Sequence, residues 1–190
     1  NIIPESTAEE LKNKGRASAR AYKTVSVIFT DFVGFTRIAE RMTPTELVGR
    51  LDVYFRKFDE VATVFGLEKI KTVGDSYMCA GGLPTVNTTH ATDVVAAALL
   101  MNAYVTESLS KEDGLAHFEI RIGIHTGPVI AGIVGIKKWQ YDIWGDTVNI
   151  AARAQQVCAI DEITVTKQVF HQVEKYFEGT PLGVVPIKKR

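Results

Sequence analysis

A chain of 190 residues with 46% apolar side chains can bury a substantial core, and its length fits one domain or one domain with a short appendage. Lys and Arg number 22 and Asp and Glu also 22, so no polyanion-binding face dominates and nucleic acid falls away as the main partner. The longest apolar run, residues 94–101, is too short to span a bilayer, and NIIPES lacks the basic-then-apolar order of a signal peptide, so we expect a soluble cytoplasmic domain without membrane contact of its own. The chain starts on Asn rather than Met, which suggests a catalytic or regulatory piece of a longer or membrane-attached protein. Cys79 and Cys158 have no CxxC or Cys/His partner nearby and read as packed thiols in a reducing compartment, not a disulfide or a zinc site.

Residues 1–21 carry a proline near a helix start, an acidic first half and a basic second half, the pattern of a lead-in helix or linker before a domain spanning 22–190. TVSVIFTD then reads as a buried strand and FTRIAERM as a short helix. A long amphipathic helix follows, with Thr43 as N-cap, Pro44 at the first helical position and Glu46 completing a capping box. Leu47, Leu51, Tyr54, Phe55, Phe58, Val61 and Ala62 recur at helical spacing and form its buried face. EKIKTVGDSYMCAGG reads as two strands around a tight Gly-Asp turn, residues 89–105 as a helix, and HFEIRIGIHTGPVIAGIVG as a strand pair around Thr126-Gly127-Pro128. GDTVNIAARAQQV is a helix capped by Asp146 or Thr147, and the tail alternates two strand-like runs, EITVT and GVVPIKK, with a small helix. The order β-α-α-β-β-α-β-β predicts an α+β fold, a ferredoxin-like antiparallel-rich sheet covered by helices on one face.

Two aspartates stand at the ends of strand-like runs, Asp31 in VSVIFTDFVGFT and Asp75 in EKIKTVGDSYM. Two buried strands delivering two carboxylates to one rim can hold divalent ions, which points to phosphoryl or nucleotidyl transfer. Each aspartate alone would read as a turn former or helix cap. Gly34, after Asp31, lets backbone N–H groups at the following helix start, those of Phe35 and Thr36, approach a phosphate. Asn149 and Arg153 lie four positions apart on one helical face and can reach one ligand together. Arg121 interrupts the apolar strand FEIRIGIH, and a guanidinium fork suits phosphate oxygens.

FTDFVGFT, KIKTVGDSYM, IRIGIHTGPVIAGIVG and QYDIWGDTVNIAAR resemble, in order and spacing, the catalytic domain of class III nucleotidyl cyclases, the adenylyl and guanylyl cyclase family. The resemblance runs from about Thr24 to the chain end and is nearest to the homodimeric adenylyl cyclases. It implies conversion of a nucleoside triphosphate to its 3′,5′-cyclic monophosphate and pyrophosphate. By it, Asp31 and Asp75 hold two Mg²⁺ or Mn²⁺ ions with the carbonyl of Phe32, Asn149 orients the ribose, and Arg153 stabilises charge on the α-phosphate. Arg121 and Lys188 take the terminal phosphates, although IKKR stands where the family usually shows a Gly-spaced lysine.

Adenine offers an N1 acceptor and an N6 donor, and Lys71 with Asp142 supplies the matching donor and acceptor. Guanylyl-type relatives carry Glu and a Cys or Ser at those two positions, and a site built for one pattern rejects the other by up to ~10⁴-fold or more. ATP is therefore the expected substrate and adenylate cyclase the expected activity. Two alternatives fit the same motifs, a guanylyl cyclase and a non-catalytic nucleotide-binding regulatory domain. All motif residues occur in one chain, and Lys71 and Asp75, ~13 Å apart on an extended strand, fit the family arrangement in which the metals of one subunit face the base pocket of the other, so the resemblance implies a homodimer with two equivalent composite sites. Trp139, Tyr141 and Trp144 would line its interface or pack in the core. His125 reads as a structural strand-end residue, and an upstream sensor or regulatory domain is the expected further partner.

Overall fold

β-branched and aromatic residues apolar on both faces make the first strand central to the molecule. In this computed structural model, which describes residues 3–109, 118–135 and 139–185, β1 spans Arg20–Val33 and buries Val25, Val27, Ile28 and Phe32. Before it lies α1 (Glu5–Lys14), and after it α2 (Phe35–Ala39), α3 (Pro44–Val64), β2 (Glu68–Val73), β3 (Ser76–Gly81), α4 (His90–Leu109), β4 (Glu119–Val134), β5 (Gln140–Trp144), α5 (Asp146–Gln156), β6 (Glu162–Val165) and α6 (Lys167–Val173). The sheet has six strands in the order β2-β3-β1-β4-β5, with β6 joined to β4. The β4–β6 ladder, Arg121↔Glu162 to Ile124↔Val165, is parallel and the other pairings are antiparallel. This is the antiparallel-rich α+β sheet that the element order predicts.

The long helix forms as read. Thr43 Oγ1 accepts the Glu46 N–H at 3.3 Å while Glu46 returns its carboxylate to the Thr43 N–H at 2.8 Å, which satisfies two orphan donors of α3. Tyr54, Phe58, Val61 and Ala62 bury on the sheet, and Leu47, Leu51 and Phe55 pack at the margin. With α4 and α6 this helix covers one face, over Ile28, Tyr77, Ile120, Ile122 and Ile124. Phe32 stacks on Phe118 there, ring centroids 4.8 Å apart. The opposite face holds a second core of Val25, Val27, Ile70, Met78, Val129, Tyr141 and Ile143, to which α5 contributes Ala151. Helices therefore lie on both faces rather than one.

Three local readings change. HFEIRIGIHTGPVIAGIVG is one strand of 16 residues, not a pair. Thr126-Gly127-Pro128 stays in the ladder because the β1 register shifts between Tyr22 and Val25, placing two residues opposite Pro128, a bulge that absorbs a residue with no N–H to donate. The N-cap of α5 is Gly145 rather than Asp146 or Thr147. The Thr147 hydroxyl instead donates to the Pro128 carbonyl at 2.7 Å and pins the helix start to β4. Of the second tail strand, residues 181–185 have no regular structure, and 186–190 lie outside the described residues.

In the lead-in segment, Leu11 and Thr7 of α1 are buried, Ile3 touches the second core, and Glu10 pairs with Arg20 at 3.1 Å. Tyr141 packs in the core, whereas Trp139 and Trp144 remain exposed. Among the described residues no helix is long and apolar enough to cross a membrane.

Candidate active site

Side-chain alternation along β1 decides where its carboxylate goes. Ile28 and Phe32 face the α3 and α4 core, so Asp31 projects to the face that α5 occupies. Asp31 Oδ2 accepts from Arg121 Nη2 at 3.2 Å and from Gln155 Nε2 at 3.3 Å, and Oδ1 accepts from Ser76 Oγ at 3.2 Å. Ser76 opens β3 directly after the Gly74-Asp75 turn, where Gly74 takes the left-handed φ of 61° that a side chain would resist. Because β3 is the neighbour of β1, the turn sets Asp75 beside Asp31. Burial, then repulsion from Asp31, raise the Asp75 carboxyl above its ordinary range, and the backbone N–H groups of Asp75 and Phe32 offset part of this.

Phe32 is 2% exposed with its ring in the core, so it can offer the site only its backbone. The Phe35 ring also turns inward, 5.9 Å from that of Phe118, which leaves its amide for a ligand, and Thr36 is exposed in the first turn of α2. Arg121 does not stand alone toward solvent; it is the Cα partner of Asp31 across the ladder and its guanidinium rests on that carboxylate. Its Nε is buried without a hydrogen-bond partner.

A second group lies across the sheet. β2 and β5 are far apart in strand order, yet the sheet curls enough for Lys71 Nζ to donate to Asp142 Oδ2 at 2.5 Å. Asp142 Oδ1 also accepts the Ile143 N–H at 2.9 Å, which fixes the carboxylate. The third group rides on α5. Asn149 is exposed and Arg153 half-buried, and neither side chain makes a hydrogen bond or ion pair with another described residue. Within one chain, no hydrogen bond or ion pair among the described residues joins the Asp31–Asp75 pair to Lys71–Asp142, or either to Asn149 and Arg153. Lys188 lies outside the described residues. His125, 5% exposed, holds Thr166 Oγ1 through Nδ1 at 2.8 Å, and burial lowers its pKa, with Asp146 partly opposing. That is a structural histidine.

Sequence reasoning missed Gln155 and Ser76. Gln155 follows Arg153 by two positions and so falls on the opposite, buried side of α5, a signal legible in helical geometry but silent about its partner.

The carboxylate pair fits a hard divalent cation. Two adjacent carboxylates repel one another, which adds to the larger effect of burial in raising Asp75, and an ion between them relieves that repulsion. Among the described residues no third His, Cys, Asp or Glu completes a cluster. Such a sparse donor set suits Mg²⁺, which is commonly held by one or two carboxylates with substrate phosphates completing the shell.

The family model of the adenylate and guanylate cyclase catalytic domain matches residues 17–190. The chain is 39% identical to a membrane guanylyl cyclase of Dictyostelium discoideum over 100% of its own length and 13% of that protein. It is 38% identical to an adenylate cyclase of Mycobacterium tuberculosis over 99% of its own length and 42% of that protein. It thus spans less than half of either relative. The catalytic core of a rhodopsin-guanylyl cyclase with converted specificity, in complex with ATPαS, superposes with a TM-score of 0.84 at 30% identity, covering 90% of this chain and 92% of that one. A match of that family model over nearly the whole chain shows that the chain belongs to the adenylate and guanylate cyclase catalytic domain family.

Proposed function

We propose that this domain is an adenylyl cyclase, converting ATP to 3′,5′-cyclic AMP and pyrophosphate in composite sites between two copies of the chain. The observation that carries the reading is the Lys71–Asp142 contact, 2.5 Å long with side chains 30% and 13% exposed. It holds a cationic donor and a carboxylate acceptor side by side at a partly covered rim. Lys71 donates to adenine N1 and Asp142 accepts from the N6 amino group. Guanine, with O6 and N1–H, reverses that polarity and leaves both partners unmatched.

Asn149 orients the ribose, and Arg153 meets the charge that develops on the α-phosphate as the 3′-hydroxyl attacks in line. No partner within the chain occupies Arg153 among the described residues, so its guanidinium is available without breaking a contact. Arg121 and Lys188 bind the terminal phosphates, and the amides of Phe35 and Thr36 approach them. Asp31 and Asp75, with the Phe32 carbonyl, hold two divalent ions, Mg²⁺ or Mn²⁺, which when bound lower the pKa of the attacking hydroxyl and neutralise the triphosphate. That no hydrogen bond or ion pair among the described residues joins the carboxylate pair to Lys71, Asp142, Asn149 or Arg153 supports a shared site, in which one copy brings the ions and the other the base and transition-state groups. As the chain spans only part of its relatives, we place this domain as the output of a longer signalling protein with an upstream sensor.

The reading is tested by identifying the cyclic product from ATP and from GTP separately, for wild type and Asp75→Ala. Cyclic AMP as the main product, lost in Asp75→Ala, supports it; dominant cyclic GMP overturns the base assignment. The likeness to the Dictyostelium guanylyl cyclase favours that second reading.

A further inference from the structure

Gln155 is 4% exposed and its amide Nε2 donates to Asp31 Oδ2 at 3.3 Å, next to the Arg121 guanidinium at 3.2 Å. A long, flexible side chain is ordered here at an entropic cost, and it satisfies its buried donor on the Asp31 carboxylate of β1, the strand between β3 and β4. The helix beneath it has little freedom. A Cβ on Gly123 would lie 2.0 Å from the Gln155 backbone nitrogen and 2.4 Å from the Ala151 carbonyl oxygen, so the last turns of α5 rest on bare β4 backbone. Two residues along a helix turn the side chain by about 200°. One side of α5 thus reaches Asp31 while the other carries Asn149 and Arg153.

We propose that Gln155 is a positioning residue that orients the Asp31 carboxylate for a divalent cation and ties it to the helix bearing Asn149 and Arg153. This rests on the assignment of Asp31 as a metal ligand. A neutral donor suits the task, since it fixes the carboxylate without adding positive charge that competes with the ion, as Arg121 does. In a composite dimer Asp31 serves one site and Arg153 of the same chain serves the other, so Gln155 lies on the physical path between the two.

The test uses Mn²⁺ alone, titrated into the nucleotide-free 190-residue chain and followed by electron paramagnetic resonance of the free ion. Gln155→Met keeps the shape and deletes the donor; it is expected to weaken Mn²⁺ binding by about tenfold, as loss of an outer-shell partner typically does. Asp31→Asn is expected to weaken it further. Unchanged binding in Gln155→Met with loss in Asp31→Asn overturns the role of Gln155 and leaves the metal assignment standing. Unchanged binding in Asp31→Asn overturns the metal assignment and this inference with it. A packing role for Gln155 would lower melting temperature and turnover but leave Mn²⁺ affinity alone. Should Gln155→Met not fold, Gln155→Glu gives a separate readout. A carboxylate there adjoins Asp31, so Mn²⁺ should raise its melting temperature more than that of wild type, and an equal rise contradicts the contact.

Discussion

Gly123→Ala is a one-methyl change that should dislodge α5, the helix that carries Asn149 and Arg153. The new methyl group would sit 2.0 Å from the Gln155 nitrogen and 2.4 Å from the Ala151 oxygen, both backbone atoms that no rotamer change can move aside. To restore an ordinary 3.4 Å contact, α5 would have to retreat by about 1.4 Å. Overpacking of this kind costs ~1–3 kcal/mol, and, with Arg153 in its proposed transition-state role, a displacement near 1 Å costs ~10²-fold in turnover. Urea denaturation and cyclic AMP formation at saturating ATP measure the two effects. Gly49→Ala is the control. Gly49 lies within α3 with nothing within 4 Å of a built Cβ, so alanine should stabilise the protein by ~0.5–1 kcal/mol and leave turnover unchanged. Wild-type stability and turnover in Gly123→Ala would show that α5 does not bear on β4 as described.

Further outcomes follow from the same geometry. Lys71→Glu combined with Asp142→Cys should shift the ratio of cyclic AMP to cyclic GMP by ~10²-fold or more toward GTP, measured in paired assays, and an unchanged ratio removes these residues from base recognition. Arg153→Ala should lower kcat by ~10²–10³-fold with little change in KM, and an effect confined to KM would mean that it binds the ground state. His90 and His125 are each 5% exposed and held by hydroxyls, His90 by Ser26 and His125 by Thr166, and burial lowers the pKa of both, with Asp93 and Asp146 partly opposing. A depressed folded pKa favours the unfolded state as protons bind, so their contribution is complete above pH 6.5 and is lost as pH falls from there toward the lowered values. Melting temperature should drop from pH 7.5 to pH 5.5, and His90→Asn should flatten that slope.

What was legible in the sequence had causes confined to a few neighbouring residues. Thr43, Pro44 and Glu46 mark the start of α3 because a capping box closes within one turn. The Gly74-Asp75 turn was legible because a left-handed residue must interrupt the run between β2 and β3. Thr126-Gly127-Pro128 misled for the complementary reason: its turn chemistry is local, but the bulge that keeps it in a strand lies on β1. Lys71 and Asp142 could be named from their types and the family motifs, yet their contact depends on sheet curl between residues 71 positions apart. Gln155 reaches Asp31 across 124 positions through the approach that Gly123 permits, and no run of residues announces that pairing.

Complementation between two inactive variants tests the shared site most directly. On the proposed reading Asp75→Ala removes the metal half of a chain and Arg153→Ala the transition-state half, so each variant alone should be inactive in cyclic AMP formation. Mixed under conditions that exchange subunits, half of the dimers pair unlike chains and each of these rebuilds one intact site, which should restore about a quarter of wild-type activity. A mixture as inactive as its two components would contradict a site built from two copies.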